Sequence, residues 1–145
     1  MADVTVKRLD DFEAVFGGGM RRVRAGLGVT SFGMQVIELP PDFSLYPKHN
    51  HAHDEQEEVY ASLSGSALLQ VGGEEHVLEP GVFARVGPGQ ERKLVTHEEG
   101  ARLLVIGGMP GKVYEPPEWT EEGGSLPPMA EKDLTEAEKQ KLAQA

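Results

Sequence analysis

The fold is decided by one stretch of sequence, HNHAHDEQEE at positions 49–58. Three of the five histidines of the chain alternate here with other residues, immediately before a run of acidic residues. In an extended segment, side chains two positions apart point to the same side, so neighbouring histidines can present their imidazoles together. The stretch therefore predicts a metal site with His49, His51 and His53 as candidate ligands and Glu58 as the carboxylate that completes the set.

The chemistry of such a site follows from its donor atoms. Two neutral imidazoles and one carboxylate on one side of an ion leave other coordination positions open, as in non-haem iron enzymes and catalytic zinc sites. The sequence has no cysteine, so every protein ligand must be nitrogen or oxygen. A divalent transition metal, Fe, Mn, Ni or Zn, fits this description. The alternative is a solvated loop whose histidines bind nothing, and the stretch alone leaves both interpretations open.

The alternation after the histidines separates two adjacent glutamates. Glu58 shares a strand face with Tyr60, whereas Glu57 shares a face with Val59 and the apolar residues beyond it. We predict that Glu58 points into the protein and that Tyr60 lines the same pocket.

Outward from this stretch, the sequence predicts an all-β domain. Eighteen glycines and ten prolines in 145 residues are typical of short strands joined by tight turns. The Gly72-Gly73 pair suits a type I′ hairpin turn. Strands at such short, regular spacing indicate a barrel or sandwich of roughly six to ten strands. The predicted strands cover residues 59–63, 67–71, 74–78, 82–86, 93–96 and 102–106.

The segment before the histidines predicts less regular structure. A capping-box pattern from Asp10 to Glu13 predicts a short helical turn through Phe16. Loose alternation over residues 20–39 predicts two strands bent at glycines. We treat residues 1–28 as an N-terminal lead-in and residues 29–107 as the barrel.

The segment after the barrel, residues 108–145, changes composition. Prolines and glutamates dominate it, so we expect an extended, proline-rich C-terminal arm that buries little surface. A second capping-box pattern, from Thr135 to Glu138, predicts a short C-terminal helix over residues 136–144.

Charge and hydropathy narrow the classes of partner. Fourteen basic residues against 24 acidic ones give a net charge of −10, which disfavours binding to nucleic acid or to an anionic membrane surface. No long apolar run and no secretory segment stand in the sequence. We therefore expect a cytoplasmic protein whose partner is a small-molecule ligand.

Two groups of residues resemble the conserved motifs of the cupin family. His51, His53, Glu58 and Gly65 match the first cupin motif in spacing. The second motif resembles residues 81–96, with its glycines retained. The chain is thus similar to small bacterial single-domain cupins of the type-2 group, whose fold is a double-stranded β-helix, or jelly-roll barrel. The resemblance also implies a homodimer. The pair His49 and His51 has the same spacing as His51 and His53, so either pair fits.

The second motif departs from the family at Arg92, which stands where its histidine ligand is expected. A guanidinium is always charged and offers no lone pair to a cation, so the fourth ligand is absent. Three roles stay open for Arg92: it shares a bridging anion with the metal, it pairs with Glu58 in a pocket without metal, or it reaches solvent at the barrel mouth.

These observations support two functional hypotheses. The first is a cupin with a divalent-metal site of two histidines and Glu58 that acts on or binds a small anionic molecule, with Arg92 and Tyr60 as ligand-binding residues. The second is a non-catalytic, metal-free, small-molecule-binding cupin in which Arg92 replaces the usual fourth ligand.

Overall fold

A computed structural model describes residues 2–126 of the chain, and within them nine short strands form two antiparallel sheets. The six-stranded sheet contains, in spatial order, β1 (Ala14–Val15), β2 (Met20–Arg21), β3 (Gly33–Leu39), β9 (Ala101–Gly108), β4 (Glu57–Gly65) and β7 (Phe83–Val86). The three-stranded sheet contains β6 (Glu74–Leu78), β5 (Ala67–Val71) and β8 (Arg92–Val95). The all-β fold is confirmed.

The two sheets enclose one main core. Leu103 and Tyr60 of the six-stranded sheet pack with Leu69, Leu78 and Leu94 of the three-stranded sheet, and all five are almost completely buried. Burying a large apolar side chain of this kind stabilises a fold by about 1.5–3 kcal/mol each, so the alternating inward positions hold the sheets together.

The predicted hairpin is present with the bounds that the sequence indicated. Strands β5 and β6 cover the two predicted ranges, and both Gly72 and Gly73 have positive φ angles, as a type I′ turn requires. Among the described residues, no helix has the length and apolar character needed to cross a membrane.

Residues 20–39 contain two strands, β2 and β3, as predicted, but the connection between them is not the expected bend at glycines. Between β2 and β3 the chain forms one short helix, α1 (Val23–Leu27), which ends at Gly28 with φ +80°. Val23 packs with Phe12 against Val36, on the side of β3 away from the main core. The helix covers this apolar patch on β3. Tertiary packing therefore overrides the loose alternation that predicted strands bent at glycines here.

The helical turn predicted from Asp10 to Phe16 is also wrong in extent. One 3-10 turn covers Leu9–Asp11, the chain then pairs as strand β1, and a second 3-10 turn covers Phe16–Gly18. The Glu13 carboxylate accepts hydrogen bonds from the Arg22 guanidinium and the Gly123 amide instead of capping a helix. Two strands of the predicted lead-in thus belong to the six-stranded sheet.

The C-terminal arm buries more surface than its composition suggests. Over residues 109–126 its regular structure is one 3-10 turn, Glu118–Thr120, but Tyr114 and Thr120 are buried. The buried Arg22 side chain donates from Nε to the Trp119 carbonyl and from Nη2 to the Gly124 carbonyl, both at 2.9 Å. The arm therefore docks on the N-terminal segment. The helix predicted over residues 136–144 lies outside the described residues.

The loop before β4 is tied along β8, and this fixes the position of the histidines. The Thr96 amide donates to the Phe43 carbonyl, and the Phe43 amide donates to the Thr96 hydroxyl, both at 3.0 Å. Further along, His49 and Arg92 exchange both backbone hydrogen bonds, His49 N to Arg92 O at 3.0 Å and Arg92 N to His49 O at 2.9 Å. The loop thereby runs beside the strand that carries Arg92.

Two glycines with positive φ allow a matched test of the tight end of β4. A Cβ at Gly65 (φ +70°) would lie 1.9 Å from the Gly100 carbonyl oxygen, whereas a Cβ at Gly73 (φ +82°) meets nothing within 4 Å. Gly73→Ala should lower the free energy of unfolding by about 1–2 kcal/mol from backbone strain alone. Gly65→Ala should lower it by at least about 2 kcal/mol more, because backbone must shift as well. Urea denaturation measures both, and equal losses would contradict the close approach.

Candidate metal centre

Backbone hydrogen bonds alone bring His49 and Arg92 together. Two residues that exchange both backbone hydrogen bonds across an antiparallel pair project their side chains to the same face. Strand β4 supplies Glu58 and Tyr60 from its inward face, as the alternation predicted. The neighbouring Glu57 points outward and pairs with Arg85 at the surface.

Four side chains converge on one oxygen atom, Oε1 of Glu58. The Tyr60 hydroxyl donates to it at 2.8 Å, and Nη1 of Arg92 donates at 2.9 Å. Nε2 of His51 lies 3.1 Å from the same oxygen, and Nε2 of His49 lies 3.7 Å from it. The Glu58 side chain is only 12% exposed, so its carboxylate makes little contact with water.

Both imidazoles are held in place through their other nitrogen. Nδ1 of His49 lies 3.0 Å from the Pro47 carbonyl oxygen, and Nδ1 of His51 lies 3.1 Å from Oδ1 of Asp54. A carbonyl and a carboxylate only accept, so each Nδ1 must carry the proton. This is the arrangement of metal-ligating histidines, whose second nitrogen is fixed by a carbonyl or carboxylate.

The consequence appears at the Nε2 atoms. In a neutral imidazole whose Nδ1 is protonated, Nε2 carries a lone pair, and here it faces a carboxylate oxygen that also offers lone pairs. Two acceptors at 3.1 Å are favourable only when a cation lies between them. The cation is either a proton on His51 or a metal ion.

The donor atoms fit a divalent ion in number, chemistry and spacing. One atom each from His49, His51 and Glu58 lies within 4.8 Å of the others. Metal–ligand bonds of about 2.0–2.2 Å put neighbouring ligand atoms about 3.0–3.5 Å apart, close to the separations around Glu58. Two nitrogens and one oxygen suit zinc, iron, manganese or nickel.

His53 is not in this group. Its side chain is 75% exposed, and its Nε2 lies 3.6 Å from Oδ2 of Asp54, so it belongs to a second, outer group with His51 and Asp54. The extended conformation assumed for residues 49–53 breaks at a turn in which Glu55 donates its amide to the His51 carbonyl at 2.7 Å. The spacing of the first motif pointed to His51 and His53, whereas the structure brings His49 and His51 to Glu58.

Arg92 is completely buried, which excludes the expectation that it reaches solvent. Its Nη2 donates to the Gly87 carbonyl at 2.7 Å, and Nη1 donates to Glu58. Within the described part of the chain, its buried Nε has no hydrogen-bond partner. The guanidinium therefore lies against the candidate centre, in contact with one of its ligands.

Two contributors to the centre escaped the sequence analysis. Asp54 orients His51 from three positions away, a signal available only once the turn is known. The Pro47 carbonyl orients His49, and no side-chain pattern reports a carbonyl. The Tyr46 ring, which packs against the main core, also lies 5.6 Å from the His49 ring.

Electrostatics set the protonation states of the cluster. Burial alone would raise the pKa of Glu58, but the neighbouring imidazoles of His49 and His51, together with the hydrogen bond from Tyr60, hold that pKa well below its usual range. Burial alone would lower the pKa of His51, but contact with Glu58 and the charge of Asp54 raise it above its ordinary value. Burial, together with Tyr46 and Glu58, raises the pKa of Tyr60, so its phenol stays a neutral donor at pH 7.

Comparison with known proteins places the fold. A family model described as the cupin domain matches residues 35–107. A cupin protein from Bacteroides fragilis is similar in structure, with a TM-score of 0.63 and 20% identity over 81% of this chain and 93% of that one. A sugar phosphate isomerase of the cupin superfamily from Silicibacter pomeroyi gives a TM-score of 0.61 and 23% identity over 72% and 75%. At these identities the likeness shows the fold alone. No curated protein matches the sequence significantly.

The raised pKa of His51 predicts a pH dependence for chelator-treated protein. The ion pairs of protonated His51 are complete below about pH 6.5, the ordinary histidine pKa. Their stabilisation is lost as pH rises through the higher pKa of the folded state. An NMR titration of the imidazole should give a pKa above 6.5, and Asp54→Asn should lower it. Glu74→Gln, which removes an exposed carboxylate beside His76, should leave it unchanged. A wild-type pKa at or below 6.5 would contradict the geometry.

Proposed function

This chain belongs to the cupin domain family, and we propose that it is a metal-dependent cupin that binds a small anionic molecule. His49, His51 and Glu58 would hold one divalent transition-metal ion. One observation carries the proposal. The Nε2 atoms of His49 and His51 both face Oε1 of Glu58, while the Nδ1 atom of each imidazole is held by another group.

Each residue has a distinct task in this proposal. His49 and His51 supply nitrogen ligands from the side of the loop, and Glu58 supplies an oxygen ligand from β4. Asp54 and the Pro47 carbonyl keep both imidazoles in the tautomer that leaves Nε2 free. A bound ion would act as a Lewis acid on a ligand at its open positions.

Two further observations support an anionic ligand. Arg92 places a permanent positive charge beside the centre, and it is completely shielded from water. The His49 side chain is 30% exposed, so the centre has an accessible side at the mouth of the barrel. An anion there would face a metal ion backed by a guanidinium.

The role of Tyr60 differs from the ligand contact that the sequence suggested. The residue has no exposed surface, and its hydroxyl donates to Glu58. We assign it the task of holding the Glu58 carboxylate in place, with any ligand contact left to the ion and to the residues at the mouth.

One observation favours a second candidate function, a metal-free binding barrel. Arg92 already pairs with Glu58 at 2.9 Å, so the guanidinium can satisfy the buried carboxylate without an ion. The lone pairs on the two Nε2 atoms weigh against this candidate. Without a metal ion, a proton must lie between the His51 Nε2 and the Glu58 carboxylate.

The homodimer implied by the family resemblance remains part of the proposal. Phe83 at the free edge of β7 is 75% exposed, and Leu63 of β4 is half exposed, so apolar surface is available on the six-stranded sheet. Sedimentation equilibrium of the purified protein measures this directly.

The metal content of the purified protein tests the proposed site. Protein incubated with zinc and then desalted should retain about one equivalent, measured by mass spectrometry of the metal. His51→Ala and Glu58→Ala should lose it, because three ligands become two.

His53→Ala is the matched control, since it removes an imidazole from the same loop that does not reach Glu58, and it should keep its metal. A wild-type protein that binds no zinc, iron, manganese or nickel would sink the metal-dependent function and favour the metal-free barrel. Loss of metal in His53→Ala would instead assign the ligands to the outer group.

A further inference from the structure

We infer that the centre binds its metal ion and a singly charged carboxylate cooperatively, each tightening the binding of the other, because Arg92 leaves the metal-loaded cluster with one uncompensated positive charge. This inference rests on the proposed function and specifies the charge of the ligand and the way in which it controls the site.

The charge balance follows from the groups in contact. Glu58 is itself a proposed ligand, and Asp54 is hydrogen-bonded to Nδ1 of the ligand His51, on the side of the ring away from the ion. Together these two carboxylates balance the two charges of the ion. Two histidine ligands are neutral when they bind a metal. The Arg92 guanidinium is then the one charge of this cluster without a counterpart. Other acids nearby pair at the surface, Glu57 with Arg85 and Glu55 with Lys112.

The uncompensated charge lies close to the ion. Nη1 of Arg92 is 2.9 Å from Oε1 of Glu58. A metal ion bound to that oxygen at about 2.1 Å would therefore be within about 5 Å of the guanidinium nitrogen. Since Arg92 has no exposed surface, water and salt screen the repulsion poorly. The metal ion alone should thus bind more weakly than it would at a site with a neutral residue at position 92.

A single negative charge at the open side of the ion removes this penalty. A carboxylate supplies one charge and an oxygen donor that suits all the candidate metals. Direct contact with the buried guanidinium is unnecessary, because the coupling acts through charge. Among residues 2–126, Nε of Arg92 has no hydrogen-bond partner, so the guanidinium is not saturated by its contacts with this part of the chain.

Linkage makes the coupling measurable from either side. If the anion tightens metal binding by some factor, the metal ion must tighten anion binding by the same factor. We therefore use zinc and acetate as probes. Zinc affinity is measured by competition with a chelator, at constant ionic strength, with perchlorate, which does not coordinate zinc, or with saturating acetate.

Wild-type protein should bind zinc at least tenfold more tightly in acetate, after correction for zinc acetate in solution. Arg92→Met removes the charge and keeps most of the volume, so it should bind zinc tightly in perchlorate and respond less than twofold to acetate. Arg92→Lys keeps the charge and should keep most of the coupling. Arg85→Met removes an exposed guanidinium from β7, the strand that pairs with β4, and should behave like the wild type.

Each outcome separates the two proposals. If wild-type protein binds zinc equally well in perchlorate and acetate, or if Arg92→Met shows the wild-type coupling, the inference is overturned and the metal site stands. If wild-type protein binds no zinc under either condition, the proposed function itself fails. Should Arg92→Met not fold, Arg92→Gln takes its place, because its amide is uncharged and can still donate a hydrogen bond to Glu58. It must likewise bind zinc tightly in perchlorate and respond less than twofold to acetate, and a response equal to that of the wild type overturns the inference.

Discussion

The arrangement of the centre depends on one buried oxygen atom, Oε1 of Glu58. A carboxylate removed from water costs several kcal/mol unless it is paired and hydrogen-bonded. Here its needs are met by Tyr60 from the same strand, Arg92 from β8 and two histidines from the loop. These three segments are one strand from each sheet and the loop that joins β3 to β4. The hydrogen bonds and ion pairs of one buried carboxylate therefore hold β4, β8 and the histidine loop together at the mouth of the barrel.

Arg92 gives this cupin its particular character. In the position where the family motif has a histidine, a residue that accepts a cation is exchanged for one that repels it. The guanidinium is nevertheless well accommodated, with Gly87 and Glu58 as acceptors. The backbone pairing of His49 with Arg92 explains how the same geometry serves a different residue, since the pair orients any side chain at position 92 towards Glu58.

Much of the fold could be predicted from the sequence because it is encoded locally. Alternation and the Gly72-Gly73 turn determine β5 and β6, and alternation alone selects Glu58 over Glu57. The choice of histidine pair could not be predicted, because a turn at residues 51–55 rotates His53 outward and the motif spacing assumes an extended chain. The docking of the arm was also beyond local reasoning. It depends on Arg22, whose acceptors stand about a hundred residues further along the chain.

That arginine has a consequence for the order of folding. Its guanidinium is buried, yet two of its acceptors, the carbonyls of Trp119 and Gly124, belong to the last described part of the chain. During synthesis the N-terminal segment leaves the ribosome long before these acceptors do. Strands β1 and β2 can pair with β3 early, but the burial of Arg22 must wait until the arm arrives. The N-terminal segment and the arm, as far as it is described, can therefore complete their packing only after the barrel strands between them have been made.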